Sequence, residues 1–315
     1  MVNLELNGIS FSRPVKEDRK GILALLNSEK NWISEETWKW KYENAPVKPF
    51  LTVVKKEGEI IGFGGSIAFG LLADGKEMVA LKAEDVIVKR TFRGKGIATE
   101  LLLRSKNIAE QDNVLLFGFP HKKFAEFESK KLGFENYGKI FNFVKYFPKK
   151  FSEKENFEVK KMERFEKEFD DFFLEFEKSK KAIIRKNSEY LNWRFVKKPN
   201  NSYRIFCAKK EKKIIGYAVV QKIGFRMLIE EIVALEKNAI PILLNKCLAD
   251  FPDFTSSMSG HFSEKEFSRE IEMLGFIKMP FSPHELVIAS VPRTIKQSSL
   301  SKAENWFLSK ADIET

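Results

Sequence analysis

Apolar positions along the chain follow two periods. In "ISFSRPV" they recur at every second residue, which predicts a short strand, while Ile22, Leu23, Leu25 and Leu26 in the following "KEDRKGILALLNSE" have helical spacing. "FLTVVKKEGEIIGFGGSIAF" reads as two β-rich runs folded back at Glu57-Gly58, a hairpin signal. "KAEDVIVKR" predicts another strand and "GIATELLLRSKNIAEQ" a helix whose inward face is Ile97, Leu101, Leu102, Ser105 and Ile108. "NVLLFGF" predicts a buried strand, "KKFAEFESKKLG" a helix closed by Gly133, and "FENYGKIFNFVKYF" a last β stretch. This alternation predicts an α/β (α+β) class, with a mixed twisted sheet flanked by helices.

The pattern then starts again. "PKKFSEKEN", residues 148–156, is charged and poor in apolar residues, the composition of a linker. Beyond it "FEVKKMERF" reads as a strand, and Phe165, Phe169, Phe172, Phe173 and Phe176 recur at helical spacing, the ordinary mark of a buried face. Two segments also match each other. "WKYENAPVKPFLTVVKKEGEIIGF" from Trp40 and "WRFVKKPNNSYRIFCAKKEKKIIGY" from Trp193 share a Trp-cation-aromatic word, a proline, Lys-Lys-Glu and Ile-Ile-Gly-aromatic in the same order. Leu132-Gly133-Phe134 is echoed by Leu274-Gly275-Phe276. A repeat this long is not a solenoid unit, and it predicts two tandem domains of similar fold, residues 1–147 and 157–315.

Composition narrows the partners. The formal charge of +11 comes from 55 basic and 44 acidic residues that are interleaved, and no long basic run accompanies it, so nucleic-acid binding is disfavoured and a small anionic ligand is compatible. Cys207 and Cys247 stand far apart without the Cys/His groupings of a zinc site, so buried reduced thiols and no metal are expected. No signal-peptide core is evident and no window reaches the ~20 apolar residues of a membrane span, so no membrane partner and a cytoplasmic location are the expectation.

The word "RTFRGKGIATELL" carries the candidate chemistry. Arg93-Gly94-Lys95-Gly96-Ile97-Ala98 lies between a predicted strand and the start of a predicted helix, where unpaired N–H groups and the positive end of the helix dipole attract anions. Glycines there let a phosphate approach the backbone, and Arg93 can add charge-assisted hydrogen bonds at the rim. The spacings of the P-loop and of the dinucleotide fingerprint are both absent.

Arg93, Gly96 and Ala98 satisfy Arg/Gln-x-x-Gly-x-Gly/Ala, and the segment resembles the acyl-CoA signature of the GNAT N-acyltransferase superfamily. Arg13-Pro14 with the acidic residues after it, and Ala125 with Lys131-Leu132-Gly133-Phe134, are similar to further family features, so the resemblance runs over roughly residues 10–147. It implies that Val86, Ile87 and Val88 present backbone groups to a pantetheine arm, and that Arg93, Gly94, Lys95, Gly96, Ile97, Ala98 and Thr99 wrap the pyrophosphate of acetyl-CoA as acyl donor. No such word stands in the second half, where Glu236 and Pro241 occupy the helix entrance; a degenerate second domain without a cofactor site is expected.

Direct transfer needs an amine without its extra proton, and so a base near the thioester. Glu84 and Asp85 precede the binding strand, and strand alternation predicts that one of them faces the cleft, with Glu84 favoured. The family's usual Tyr on the following helix is replaced by Ser129, which leaves a weaker acid at that place, and His121 lies near the helix start. The resemblance therefore implies an N-acetyltransferase acting on a small-molecule or peptide amine. A non-catalytic acyl-CoA sensor and a tRNA-dependent aminoacyl transferase are the alternatives, the latter having no need of the Arg93/Gly96 site.

Overall fold

The computed structural model describes residues 8–29, 33–153, 157–251, 255–281, 284–293, 295 and 300–313. Its contacts divide the chain into two units. The first comprises Met1–Gly70, Met78–Asn136 and Val287–Ile295; the second comprises Leu71–Glu77, Tyr137–Leu286 and Lys296–Thr315.

Chain order begins β1 (Ile9–Ser12), α1 (Asp18–Ser28), α2 (Glu35–Trp38), β2 (Phe50–Lys56), β3 (Glu59–Ala73), β4 (Lys76–Val88), α3 (Ile97–Gln111), β5 (Leu115–Gly118) and α4 (Lys122–Leu132). In the first unit β1, β2 and β3 pair antiparallel. The β2–β3 turn places Glu57 and Gly58 at φ 50° and 82°, the doubly left-handed geometry that a two-residue hairpin turn requires. Residues Ala80–Ala83 of β4 pair parallel with β5, and α3 supplies the crossover that parallel strands need. The apolar face of α3 drives its docking: Ile97 and Leu101 join Val54, Ile61 and Val88 in one buried cluster, and Leu102 joins Ala125, Leu132, Phe134 and Val287 in another. Helix α4 ends where Gly133 adopts φ 66°, as its sequence predicted.

The chain continues with β6 (Glu135–Tyr146), β7 (Glu158–Met162), α5 (Glu168–Glu177), β8 (Ala182–Ile184), α6 (Ser188–Leu191), β9 (Arg204–Lys210), β10 (Lys213–Ile223), β11 (Arg226–Ala234), α7 (Ala239–Ala249), β12 (Ser257–Phe262), α8 (Lys265–Met273), β13 (Ile277–Lys278), β14 (His284–Ser290) and β15 (Trp306–Phe307). In the second unit β7, β9, β10 and β11 are antiparallel neighbours, and β11 pairs parallel with β12 across α7. The phenylalanine stripe of α5 is core: Phe165, Phe169 and Phe172 ring Tyr217 at centroid distances of 5.6, 5.7 and 5.9 Å. Cys207 and Cys247 are free and buried, and burial pushes the Cys207 thiol up to about 12. Each unit is thus a mixed sheet flanked by helices.

The units are cut differently from the 1–147 and 157–315 division. Residues 141–146 of β6 pair antiparallel with β12 in the second unit, while residues 287–290 of β14 pair with β5 in the first. Hydrogen bonding between distant strands, rather than local composition, sets these edges. The described part of the 148–156 segment is also anchored: Phe151 is buried, its N–H donates to Asn245 Oδ1 at 2.7 Å, and Asn245 Nδ2 donates to its carbonyl at 3.0 Å. Residues 154–156 lie outside the described residues.

The two Trp-cation-aromatic words share an unusual backbone. Lys39–Glu43 and Asn192–Val196 are both single π-helical turns, each directly following a four-residue helix. Ser34 caps the first of these helices through Thr37 N–H, and Asn187 caps the second through Tyr190 N–H. A π turn widens the helix by one residue and re-aims its side chains, a feature frequent at functional sites.

Candidate active site

The π turn in the first unit aims Lys41 at the end of β4. Its ammonium donates to Asp85 Oδ2 at 2.9 Å and to Glu84 Oε2 at 3.2 Å, and Lys82 forms an ion pair with the other oxygen of Glu84. The Tyr42 hydroxyl donates to Asp85 Oδ2. Both carboxylates therefore meet one ammonium, because the length of Lys41 and its π turn let it reach both. Two ammonium groups and two carboxylates make a balanced quartet. Burial works to lower the Lys41 pKa, but the charges of Glu84 and Asp85 outweigh it and raise it, so the ammonium persists. Burial, with the charge of Asp85 added, lifts the Tyr42 phenol well above its ordinary value and keeps it neutral.

Beyond the carboxylates, Val86 lines a narrow pocket, while Ile87 and Val88 are buried. The pocket runs from Gly64, Gly65 and Ser66 of β3 past Ala83 and Val86 to Leu102 and Ser105 of α3. Glycines make its wall. A Cβ at Gly65 would lie 2.6 Å from the Tyr42 hydroxyl oxygen, and one at Gly64 would lie 3.2 Å from Leu101 Cδ2. The carboxylate quartet and the pocket thus share Gly65 as a common border.

The strand then turns into α3 through a loop that only glycine accommodates without strain at two positions. Gly94 has φ 79° and Gly96, the residue capping α3, has φ 82°. No side chain caps α3, so the first-turn N–H groups around Ile97, Ala98 and Thr99 lack a side-chain acceptor. Ile97 anchors this turn in the core, and Lys95 lies over the Phe92 ring at 5.2 Å. Arg93 is more committed than its sequence suggested: its Nε donates to the Val88 carbonyl at 3.0 Å and its guanidinium forms an ion pair with Glu29. Glu29 also accepts from Arg90 N–H at 2.9 Å, so Arg93 and Glu29 together pin the loop across the end of β4.

The strand, the glycine loop and the helix entrance lie inside residues 19–125, which match the family model of the acetyltransferase (GNAT) family. These residues form a GNAT domain. The GNAT match supports acyl transfer as the chemistry of this domain. Three solved structures share the fold. A probable N-acyltransferase from Enterococcus faecalis V583 is 12% identical, with TM-score 0.72 over 89% of this chain and 71% of that one. A GCN5-related N-acetyltransferase from Kribbella flavida is also 12% identical, with TM-score 0.67 over 89% and 70%. Saccharomyces cerevisiae N-myristoyltransferase with bound myristoylCoA is 10% identical, with TM-score 0.57 over 91% and 84%. No curated protein matches the chain by sequence. Among the described residues no helix is long and apolar enough to cross a membrane.

Helix α4, which follows β5, also reaches this pocket. Ser129 Oγ is buried and has no hydrogen-bond partner among the described residues, and His121 stands exposed at the N-terminal end of α4. The residue that sequence reasoning missed is Glu128. Its side chain lines the pocket, it is 6% exposed, and burial lifts its carboxyl to about 7. The signal was present: Ala125, Glu128 and Leu132 stand at i, i+3 and i+7, so an acid occupies the apolar stripe of α4.

Proposed function

We propose that the protein transfers an acyl group, by preference acetyl, from acyl-CoA to a primary amine of a small-molecule or peptide acceptor, using one site in its GNAT domain. The observation that carries this reading is the entrance of α3, where two left-handed glycines expose helix N–H groups directly after the Val86–Val88 strand. In this reading the pyrophosphate rests on residues 93–99, with Arg93 holding the loop in shape, and the pantetheine arm runs along Val86, Ile87 and Val88. The thioester lies at the pocket beside Gly65, and the Glu84–Asp85 pair, oriented by Lys41, takes the proton of the attacking amine. A backbone N–H of β4 polarises the thioester carbonyl as negative charge develops on its oxygen. The second unit descends from a duplication and has lost the cofactor seat, its own α7 entrance having no glycine between Gly224 and Gly260.

A melting experiment tests the reading. Acetyl-CoA at 100 times its dissociation constant stabilises a protein that binds it by about 2.7 kcal/mol through mass action, and Gly96→Asp is expected to abolish the shift by filling and charging the pyrophosphate seat. An unchanged melting temperature of the wild-type protein at saturating acetyl-CoA overturns the reading. Sensing without transfer draws on the balanced charge of the Glu84–Asp85 quartet; it predicts the same thermal shift with no thiol release from acetyl-CoA in the presence of amines.

A further inference from the structure

Glu128 is a buried acid with nothing to pair with. Its carboxyl makes no hydrogen bond or ion pair with the described residues, whereas other buried carboxylates are matched with cations, as Glu231 is by Lys186 and Glu177 by Arg185. A carboxyl in such surroundings costs stability when ionised, a cost that an apolar side chain does not carry. The groups facing it explain its state. From β3, β4, α3, β5 and the strand 287–290, no residue lining the pocket carries a charge, and the polar side chains there are the hydroxyls of Ser66 and Ser105. On its own helix the lysines at 130 and 131 are exposed and lie in no ion pair with it. The carboxyl is therefore held as a neutral acid near neutral pH, by burial alone.

Its place in the pocket gives that proton a use. Ala83 and Val86, which bracket the Glu84–Asp85 pair, line the same pocket as Glu128, and Gly65 joins the pocket to the Tyr42 hydroxyl that binds Asp85. One carboxyl pair is kept beside a persistent ammonium, and one carboxyl is kept in an apolar wall. The two surroundings differ in the sense that separates a proton acceptor from a proton donor.

We propose that Glu128 is the general acid of the acyl transfer, donating its proton to the coenzyme A sulfur as the thioester breaks. The inference rests on the acyl-transfer reading above. The amine nitrogen attacks the thioester carbon, the carbon–sulfur bond breaks with its electron pair on sulfur, and sulfur takes the Glu128 proton to leave as thiol. The proton lost by the amine nitrogen goes to the Glu84–Asp85 pair. Solvent returns a proton to Glu128 and removes one from the pair, so that amine and acyl-CoA become amide and free thiol with nothing left over. The hydroxyl of Ser129, the next residue, is a far weaker acid than a carboxyl.

The test uses the full chain with acetyl-CoA and, as acceptor probes, spermidine, benzylamine, glucosamine and a lysine peptide, following thiol release from pH 5 to 9. Glu128→Gln is expected to lower kcat by about 10²–10⁴-fold while the acetyl-CoA thermal shift persists, and to remove the falling limb of kcat/KM near neutral pH. Glu128→Asp is expected to restore part of kcat. A Glu128→Gln enzyme within threefold of wild-type kcat, or one that keeps the falling limb, overturns the proposal alone. A wild-type protein that shows neither thermal shift nor thiol release overturns the acyl-transfer reading and this proposal with it. A readout independent of turnover is the ¹³C carboxyl resonance lost in Glu128→Gln: a midpoint near neutrality supports the acid, and one in the ordinary glutamate range overturns it.

Discussion

The end of β4 and the end of β11 carry the same kind of residues with opposite outcomes. On β4, Glu84 and Asp85 keep side-chain exposures of 12% and 14% and share the ammonium of Lys41. On β11, Glu230 and Glu231 are sealed: Lys186 bridges Glu231 and Asp312, the latter at 2.9 Å, and the Tyr217 and Ser309 hydroxyls donate to Glu231 at 2.8 and 3.0 Å. Lys310 pairs with Glu230 at 3.2 Å. The helix that follows differs in the same sense, with left-handed glycines before α3, but a right-handed Asn238 before α7 and a buried Pro241 in its first turn. Both strand ends match their carboxylates with buried lysines; the β4 pair keeps some exposure beside Lys41, while around Glu231 the fully buried Lys186 fills the remaining space.

Removing the lysine that fills it is expected to have the largest effect. Lys186→Met leaves Glu231 and Asp312 buried without their cation and is expected to cost about 3–5 kcal/mol in urea melts. A cost under 1 kcal/mol breaks the comparison by showing that the cluster is not needed to hold the second unit.

Glu128→Gln makes the opposite case, because its carboxyl has no partner to lose. Its folded-state pKa of about 7 stands above the ordinary 4.5, so the folded chain holds more protons on this group between those values. The stability it contributes is fully present below pH 4.5 and is lost as pH rises through 7. The Gln variant, which mimics the neutral acid, is therefore expected to match wild type in urea melts below pH 5 and to exceed it by roughly 3 kcal/mol at pH 8. Equal stabilities at both pH values contradict this assignment.

The smallest effect concerns the helix entrance. Gly96→Ala imposes a Cβ on a residue at φ 82° and is expected to cost roughly 1 kcal/mol by thermal melting, apart from any loss of cofactor binding.

Local signals carried much of this architecture. The Glu57-Gly58 hairpin, the closure of α4 at Gly133, the phenylalanine face of α5 and the glycine loop before α3 each follow from a few neighbouring residues, and each is present in the structure. What escaped the sequence depends on distance. Lys41 reaches Glu84 and Asp85 across more than forty residues, and Lys186 reaches Asp312 across 126. The pairing of β14 with β5 and of β6 with β12 is likewise invisible to periodicity, since an apolar strand fits many neighbours equally well. Arg93 was legible as a cation at the helix entrance but not as a latch to Glu29, because the acid that holds it belongs to α1's end.

The strand that completes β5 has a consequence for biosynthesis. Val287 and Ile288, the partners of Gly118 and Phe117, leave the ribosome long after the rest of the first unit. At about 5–20 residues per second, the nascent GNAT domain waits on the order of ten seconds or more with one side of its sheet unpaired. During that interval β5 is an open edge able to recruit a strand from another chain. Translation speed and chaperone access over the second half of the message thus bear directly on how much of the first half reaches its native state.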